Sequence, residues 1–251
     1  MKHFFSIIGG MGTIATESYV RLLNHQVKIT RDQDYLNYIL VNDAEVPDRT
    51  AYIKDHRAPS FFPALKADIL GQALLKPDFM VLPCNTAHYF YDDLSALSSI
   101  PLLHMMRIAV HRFKDLYPNE HKIGLIATEG SIYDRLYEQE ITAAGCQVVF
   151  GGPEIQRMVT SLIYTHIKEQ GVVDGPLYHR ILQKMHDDYG CNVVLLGCTE
   201  LSLAQEKAPD HPYQVIDPQA ILAEVTIKLA LAIRHGADPQ PVIAPYLYQK
   251  S

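Results

Sequence analysis

The stretch FMVLPCNTAHYFYDDL, residues 79–94, establishes the fold class, because it places a strand, a turn and the start of a helix in succession. Its apolar run FMVLP (79–83) is short and ends at a proline, as is typical of a strand buried on both faces. Small polar residues follow, and a helical pattern then covers 89–97. Cys84 therefore lies directly after a predicted strand, and ligands bind beyond the carboxyl ends of parallel strands.

Strand and helix patterns alternate along the rest of the chain. The predicted strands are 4–8, 37–42, 79–83, 122–127, 147–150, 192–197 and 214–217. The predicted helices are 15–30, 60–75, 89–97, one that follows IPLLHM (100–105), 132–144, 154–169, 175–189 and 218–236. The strands are apolar on both faces and are followed by helices, which indicates parallel sheets covered on both sides. The chain is therefore predicted to be an α/β protein.

Two strand–loop segments occur twice at nearly the same spacing. IGGMGT (8–13) resembles IATEGS (126–131), and VLPCNT (81–86) resembles LLGCTE (195–200). This faint repeat favours two pseudo-symmetric domains, each a parallel sheet flanked by helices, with an interdomain cleft. The first half would end near residue 102 and the second would span 103–216. The last helix could return to either half, and we assign 217–251 to the first; chance similarity of such units is the alternative explanation.

Composition narrows the classes of partner. The 251 residues carry a net charge of −6, which gives no attraction to phosphate backbones or anionic lipid, so neither nucleic acid nor membrane is expected. The N-terminus has no small-residue cleavage site, and a signal peptide is not expected. Four cysteines do not make a disulfide framework and indicate a reducing cytoplasm. The histidines show no metal-ligand spacing, and no metal site is predicted.

Cys84 and Cys198 occupy matching positions in the repeat, each after a strand and before a helix with a polar first turn. Backbone N–H groups and the helix dipole stabilise a thiolate there. A single such cysteine is more often a buried apolar side chain, but two in matched positions favour function. Two thiols facing each other can invert a stereocentre, because one removes a proton and the other returns one to the opposite face. Cys146 and Cys191 lack this context and are interpreted as structural.

Several motifs stand along nearly the whole chain: GGMGTIATESYVRLL (9–23), VPDR (46–49), PCNTAH (83–88), IATEGS (126–131), the IK of YTHIKEQG (164–171) and GCTEL (197–201). In this order and spacing they resemble the aspartate/glutamate racemase superfamily, specifically its aspartate racemase branch. The resemblance implies a cofactor-independent racemase of a small amino acid, most directly aspartate, and a homodimer. Glu200 replaces the histidine of glutamate racemases, and their N-terminal acidic motif is missing, which favours aspartate.

The resemblance also implies roles for individual residues, with Cys84 and Cys198 as the two acid/base groups. The implied substrate-binding residues are Met11, Gly12, Arg49, Asn85, Thr86, Thr128, Lys168 and Thr199. Asn85, Thr86 and Thr199 would hold the α-carboxylate, while Arg49 and Lys168 supply cations near the substrate.

Several of these residues have an ordinary structural alternative. Arg49 follows a turn-like stretch and could be a surface arginine, and Lys168 sits near a predicted helix end, where lysine is common. His88 could polarise the thiol of Cys84 or simply pack on its helix. Glu200 could orient Cys198 or stabilise the first turn of its helix.

Other functions stay open on the sequence alone. The chain could racemise glutamate or many amino acids, or it could bind an amino acid without catalysis. A cysteine hydrolase is a further alternative, although the chain has no nucleophile-elbow motif. Retention of both cysteines favours the two-base reaction.

Overall fold

The computed structural model describes residues 1–247, in which seven strands form two parallel sheets. The first sheet has the order β2-β1-β3, and its strands are β1 (Phe5–Gly9), β2 (Tyr38–Asn42) and β3 (Met80–Val81). The second has the order β5-β4-β6-β7, and its strands are β4 (Lys122–Ala127), β5 (Gln147–Phe150), β6 (Val193–Gly197) and β7 (Gln214–Ile216). The predicted α/β class, with two parallel sheets, is confirmed.

The two sheets have matching topology. In each, the first strand is central and pairs in parallel with the second strand on one side and the third on the other. β7 pairs beside β6, and an isolated parallel bridge from Met80 to Leu102 occupies the corresponding place beside β3. The strands that carry the sequence repeat therefore have equivalent positions in the two sheets.

Helices cover the faces of both sheets. They are α1 (Thr13–Gln26), α2 (Arg49–Lys54), α3 (Phe62–Ala73), α4 (Tyr91–Ser95), α5 (Met105–Leu116), α6 (Glu129–Tyr133), α7 (Glu138–Ala143), α8 (Pro153–Thr160), α9 (Gly175–Asp187), α10 (Thr199–Lys207), α11 (Pro218–Arg234) and α12 (Pro239–Ile243). Short 3₁₀ helices cover Asp32–Asp34, Thr86–Phe90 and Ala244–Tyr246, and a π-helix over Ser161–Glu169 continues α8.

The observed helices differ from the sequence prediction around α6 and α7 and at α2. The single helix predicted over 132–144 is two helices, α6 and α7, because Arg135 between them takes a left-handed backbone with φ of 55°. α2 was not predicted: Asp48 accepts a hydrogen bond from the backbone of Ala51 at 2.8 Å and caps a helix that starts at Arg49. Arg49 therefore begins a helix and is not part of a turn.

Helix α11 connects the two halves. It packs on α1 of the first half and on α5 and α10 of the second. Tyr19 and Thr226 share a buried hydrogen bond of 2.8 Å between α1 and α11. Each large apolar side chain buried around it adds about 1.5–3 kcal/mol to the stability of the fold. The assignment of 217–251 to the first half stays a prediction, and residues 248–251 lie outside the described part of the chain.

Candidate active site

A cavity lies where the loops that follow β1 to β4 and β6 meet the π-helix. The cavity is narrow, with a volume of about 10 Å³, close to the least that holds one water molecule. The lining residues are Met11, Asp48, Arg49, Thr50, Cys84, Asn85, Thr86, Thr128, Tyr164, Lys168, Cys198, Thr199 and Glu200. The structure thus brings together all the site residues predicted from sequence except Gly12. Gly12 lines an adjoining groove of about 410 Å³, which shares Asp48, Arg49, Lys168 and Glu200 with the cavity.

The two cysteines reach this cavity from equivalent strands. Cys84 follows β3 and leads into the 3₁₀ helix over Thr86–Phe90, whereas Cys198 follows β6 and is the N-cap residue of α10. Both thiols are free and only 5% exposed. The residues identified by the repeat therefore line one space, although they stand far apart in the chain.

Burial dominates the ionisation of both thiols. It raises the pKa of Cys84, although Arg49, the backbone N–H of Ala87 and Lys168 all favour its thiolate. Burial and the neighbouring Glu200 together raise the pKa of Cys198 well above its usual value, against the attraction of Lys168. The sequence suggested thiolates stabilised by helix termini; the removal of water outweighs that effect here.

Glu200 contacts Cys198 directly. The Sγ of Cys198 donates to Oε2 of Glu200 at 2.8 Å, and Nζ of Lys168 lies 3.7 Å from Oε1 of the same carboxylate. Lys168 also stands 4.6 Å from the ring centroid of Tyr164, one turn earlier in the π-helix. Burial opposes the charge of Lys168, but Glu200, Cys198 and Tyr164 outweigh it and raise the pKa of Lys168 to about 12. The lysine is therefore a fixed cation of the cavity.

Arg49 is buried and held by backbone carbonyls. Its Nη1 donates to the carbonyl oxygens of Val46 and Pro47, both at 3.1 Å, and its Nη2 donates to that of Met11 at 3.4 Å. Its exposed fraction is 9%. Arg49 is therefore not a surface arginine, and its guanidinium is a second cation at a fixed position in the wall.

Hydroxyl groups from both halves meet at one side of the cavity. Oγ1 of Thr86 lies 3.1 Å from Oγ1 of Thr128 and 3.1 Å from Oγ of Ser131. Thr128 also caps α6 by accepting from the backbone N–H of Ser131 at 3.2 Å. The first half therefore contacts the second through hydrogen-bonding groups that can reorient toward an anion.

Asn85 has one hydrogen-bonded and one unpaired side-chain atom. Its Oδ1 accepts a hydrogen bond from the hydroxyl of Tyr137. Its Nδ2 is buried and has no partner among the described residues. An unpaired buried amide donor costs about 1–3 kcal/mol unless something accepts from it. Since Asn85 lines the cavity, a carboxylate there is a suitable acceptor.

His88 does not contact the thiol of Cys84. Its Nδ1 lies 2.9 Å from the carbonyl oxygen of Cys84, and its Nε2 accepts from the backbone N–H of Met105 at 3.1 Å. The proton therefore sits on Nδ1. Burial, against the hydrogen bonds to Cys84 and Leu103, lowers the pKa of His88 to about 4. The neutral imidazole connects the Cys84 loop to the start of α5.

The sequence analysis missed four contributors: Asp48, Thr50, Tyr137 and Tyr164. Asp48 and Thr50 flank Arg49 and enter the wall because α2 begins there. Tyr164 donates to Oγ1 of Thr50 at 3.0 Å across the cavity. Both tyrosines lie in predicted helices, where an aromatic residue usually indicates core packing. Tyr164 alone had a sequence signal, because it stands four residues before Lys168 and so lies on the same side of the predicted helix.

The sequence is similar to a protein family and to a known relative along most of its length. A family model described as Asp/Glu/hydantoin racemase matches residues 8–226. The broad specificity amino-acid racemase RacX of Bacillus subtilis (strain 168) is 26% identical over 238 residues, which cover 90% of this chain and 97% of that protein.

Several solved structures share the fold. The aspartate racemase of Picrophilus torridus has a TM-score of 0.75 at 22% identity and covers 97% of this chain and 99% of its own. An aspartate racemase homologue from Pyrococcus horikoshii OT3 has a TM-score of 0.71 at 20% identity and covers 92% and 100%. At these identities the likeness concerns the fold.

Proposed function

The chain belongs to the Asp/Glu/hydantoin racemase family, and from this premise we propose that it interconverts L- and D-aspartate without a cofactor, using Cys84 and Cys198 as the two bases. The observation that carries the proposal is the position of these thiols, which follow equivalent strands and line one cavity. In each turnover one thiolate removes the α-proton, and the other thiol returns a proton to the opposite face.

The groups around the thiols match the charge of the proposed substrate. Aspartate carries two carboxylates and one ammonium, and the cavity contains the cations Arg49 and Lys168 and the carboxylates Asp48 and Glu200. The two cations can pair with the carboxylates, and a carboxylate can accept from the ammonium. Metal ions are not needed for this balance, since fixed charges and N–H donors are already in place.

The α-carboxylate would bind beside the hydroxyl cluster. The unpaired Nδ2 of Asn85 is a donor in the wall, and the hydroxyls of Thr86, Thr128 and Thr199 line the same cavity. Removal of the α-proton spreads negative charge onto this carboxylate, so donors placed there stabilise the transition state more than the ground state. This supports the roles that the family resemblance implies for these residues.

A racemase of broader specificity is the second candidate. Its support is the relative from Bacillus subtilis, whose name records broad specificity, together with the adjoining groove. Ile14, Ala15, Ala44, Val46 and Ile167 give that groove an apolar lining next to Arg49 and Lys168. A side chain longer than that of aspartate could extend into it past the two cations.

Incubation of the purified protein with L-aspartate in D₂O, without pyridoxal phosphate, tests the proposal. We expect D-aspartate that carries deuterium at the α-carbon, measured by chiral chromatography and NMR. The same assay with glutamate and with neutral amino acids distinguishes the narrow from the broad enzyme. Aspartate that neither exchanges its α-proton nor inverts would reject aspartate as the substrate. Binding of amino acids without turnover of any would indicate a non-catalytic protein.

A further inference from the structure

The two thiols of the cavity have different charged neighbours. Cys198 donates to the carboxylate of Glu200 at 2.8 Å, whereas no carboxylate is recorded in hydrogen-bond contact with Cys84 in the described chain. The strongest charged influence on Cys84 is Arg49, which favours its thiolate, as does the backbone N–H of Ala87. Glu200 disfavours a thiolate on Cys84 as well, but it is the thiol of Cys198 that hydrogen-bonds the carboxylate. An anion on Cys198 and an anion on Cys84 are therefore not equivalent.

The hydrogen bond between Cys198 and Glu200 has Sγ as its donor and Oε2 as its acceptor, so the shared proton is on sulfur. Nζ of Lys168 lies 3.7 Å from the other carboxylate oxygen, Oε1. The carboxylate therefore contacts a cation through one oxygen and accepts from the thiol through the other. Tyr164, Tyr137 and Cys84 also face this pair, and Arg49 lies near Cys84 and Lys168. A thiolate on Cys198 would place two anions side by side, with Lys168 as the one cation in contact with the carboxylate.

We propose that Glu200 holds the proton on Cys198 in the resting protein, so that Cys84 is the more readily ionised of the two thiols and takes the first proton from the substrate. This inference rests on the racemase function proposed above. It assigns Glu200 as a positioning residue that acts through Cys198. It also means that the free protein is prepared for one enantiomer, the one whose α-proton faces Cys84.

The protons balance over a turnover. The α-carbon–hydrogen bond breaks, its proton goes to Sγ of Cys84, and the electron pair is delocalised into the substrate carboxylate. The sulfur–hydrogen bond of Cys198 then breaks and its proton forms the new bond on the opposite face. Cys198 is left as a thiolate beside Glu200. It regains a proton from water while Cys84 loses one, because the carboxylate makes Cys198 the stronger proton acceptor.

The pH profile of alkylation by iodoacetamide tests the proton placement. Peptide mass spectrometry measures the alkylation rate of each cysteine separately. Each pH profile is scaled to its own plateau, so that a difference in the accessibility of the two thiols does not change the midpoints that are compared. We expect a lower midpoint for Cys84 than for Cys198. Glu200→Gln should lower the midpoint of Cys198 by at least about one pH unit, since a charge within hydrogen-bond distance is removed. The exposed Glu17→Gln is the matched control and should move neither midpoint.

A midpoint of Cys198 at or below that of Cys84 in the native protein would overturn the proposal, as would an unmoved midpoint in Glu200→Gln. If that variant does not fold, Glu200→Asp withdraws the carboxylate and should lower the midpoint by a smaller amount. Racemisation gives a second readout. The alkaline limb of kcat/KM reports the thiol that must stay protonated, and we expect it to move with the midpoint of Cys198. The alkylation arm requires no turnover, so it stays decisive even if the proposed reaction fails.

Discussion

Tyr137, which precedes α7 in the second half, donates its hydroxyl proton to the side-chain oxygen of Asn85, which follows β3 in the first half. Both side chains are almost completely buried. This contact fixes the orientation of the amide. Its nitrogen has no partner in the described chain and is therefore free to donate a hydrogen bond to a ligand in the cavity. A residue from one half thereby orients a donor supplied by the other.

Tyr137→Phe should weaken substrate binding and leave the chemical step nearly intact. Loss of one buried hydrogen bond is worth about 1 kcal/mol, so we expect KM to rise roughly fivefold with little change in kcat. Tyr178→Phe is the matched control. Tyr178 is also buried, and its hydroxyl donates to the side-chain oxygen of Gln205 at a distance of 2.6 Å. Neither residue lines the cavity. Equal kinetics for the two variants would show that Tyr137 only packs.

Cys84→Ser and Cys198→Ser should each lower racemisation by about 10²–10⁴-fold, the usual contribution of a positioned acid or base. Each variant should still exchange the α-proton of one enantiomer in D₂O, and the two variants should prefer opposite enantiomers. Cys146→Ser and Cys191→Ser are controls, because these buried thiols do not line the cavity. Near-native racemisation by either of the first two variants would contradict the two-base assignment.

Much of the fold follows from local signals in the sequence. The apolar run 122–127 matches β4, because a strand buried on both faces needs a continuous apolar segment. The helix boundary at Arg135 could not be predicted in this way. Its left-handed backbone is rare for arginine, and nothing in the local sequence pattern indicates it. Propensity favours one helix there, and tertiary structure overrides it.

The site was predictable in its cysteines and less so in its supporting contacts. Cys84 and Cys198 stand at strand ends, so topology alone brings them near one another. The hydrogen bond from Tyr137 to Asn85 joins residues on different halves, and no local pattern encodes it. The contact of Glu200 with Cys198 is local, and the sequence offered it as one of two readings. Hydrogen bonds between distant side chains depend on final packing, which single-sequence patterns do not contain.

Lys168→Met should affect acidic substrates selectively. Lys168 is the cation nearest Glu200 and lines both the cavity and the adjoining groove. Loss of a charge-assisted contact of about 1.5–3 kcal/mol should raise KM for aspartate by roughly 10–100-fold, and neutral amino acids should be affected less. Lys184→Met is the control, since Lys184 pairs with Asp188 at 2.9 Å on the surface. A uniform loss across substrates would mean that Lys168 acts on the thiols and not on the side chain.

His88 should make the stability of the protein depend on pH below neutrality. Burial lowers its pKa to about 4 in the folded chain, whereas the unfolded chain has a histidine pKa of about 6.5. The folded state therefore favours the neutral imidazole. Its contribution is complete above pH 6.5 and is lost as pH falls toward 4, by about 3 kcal/mol in total. Urea unfolding at several pH values should show a shallower dependence for His88→Gln than for the native chain. The exposed His25→Gln is the control and should reproduce the native slope, and a native slope in His88→Gln would place the pH dependence on other groups.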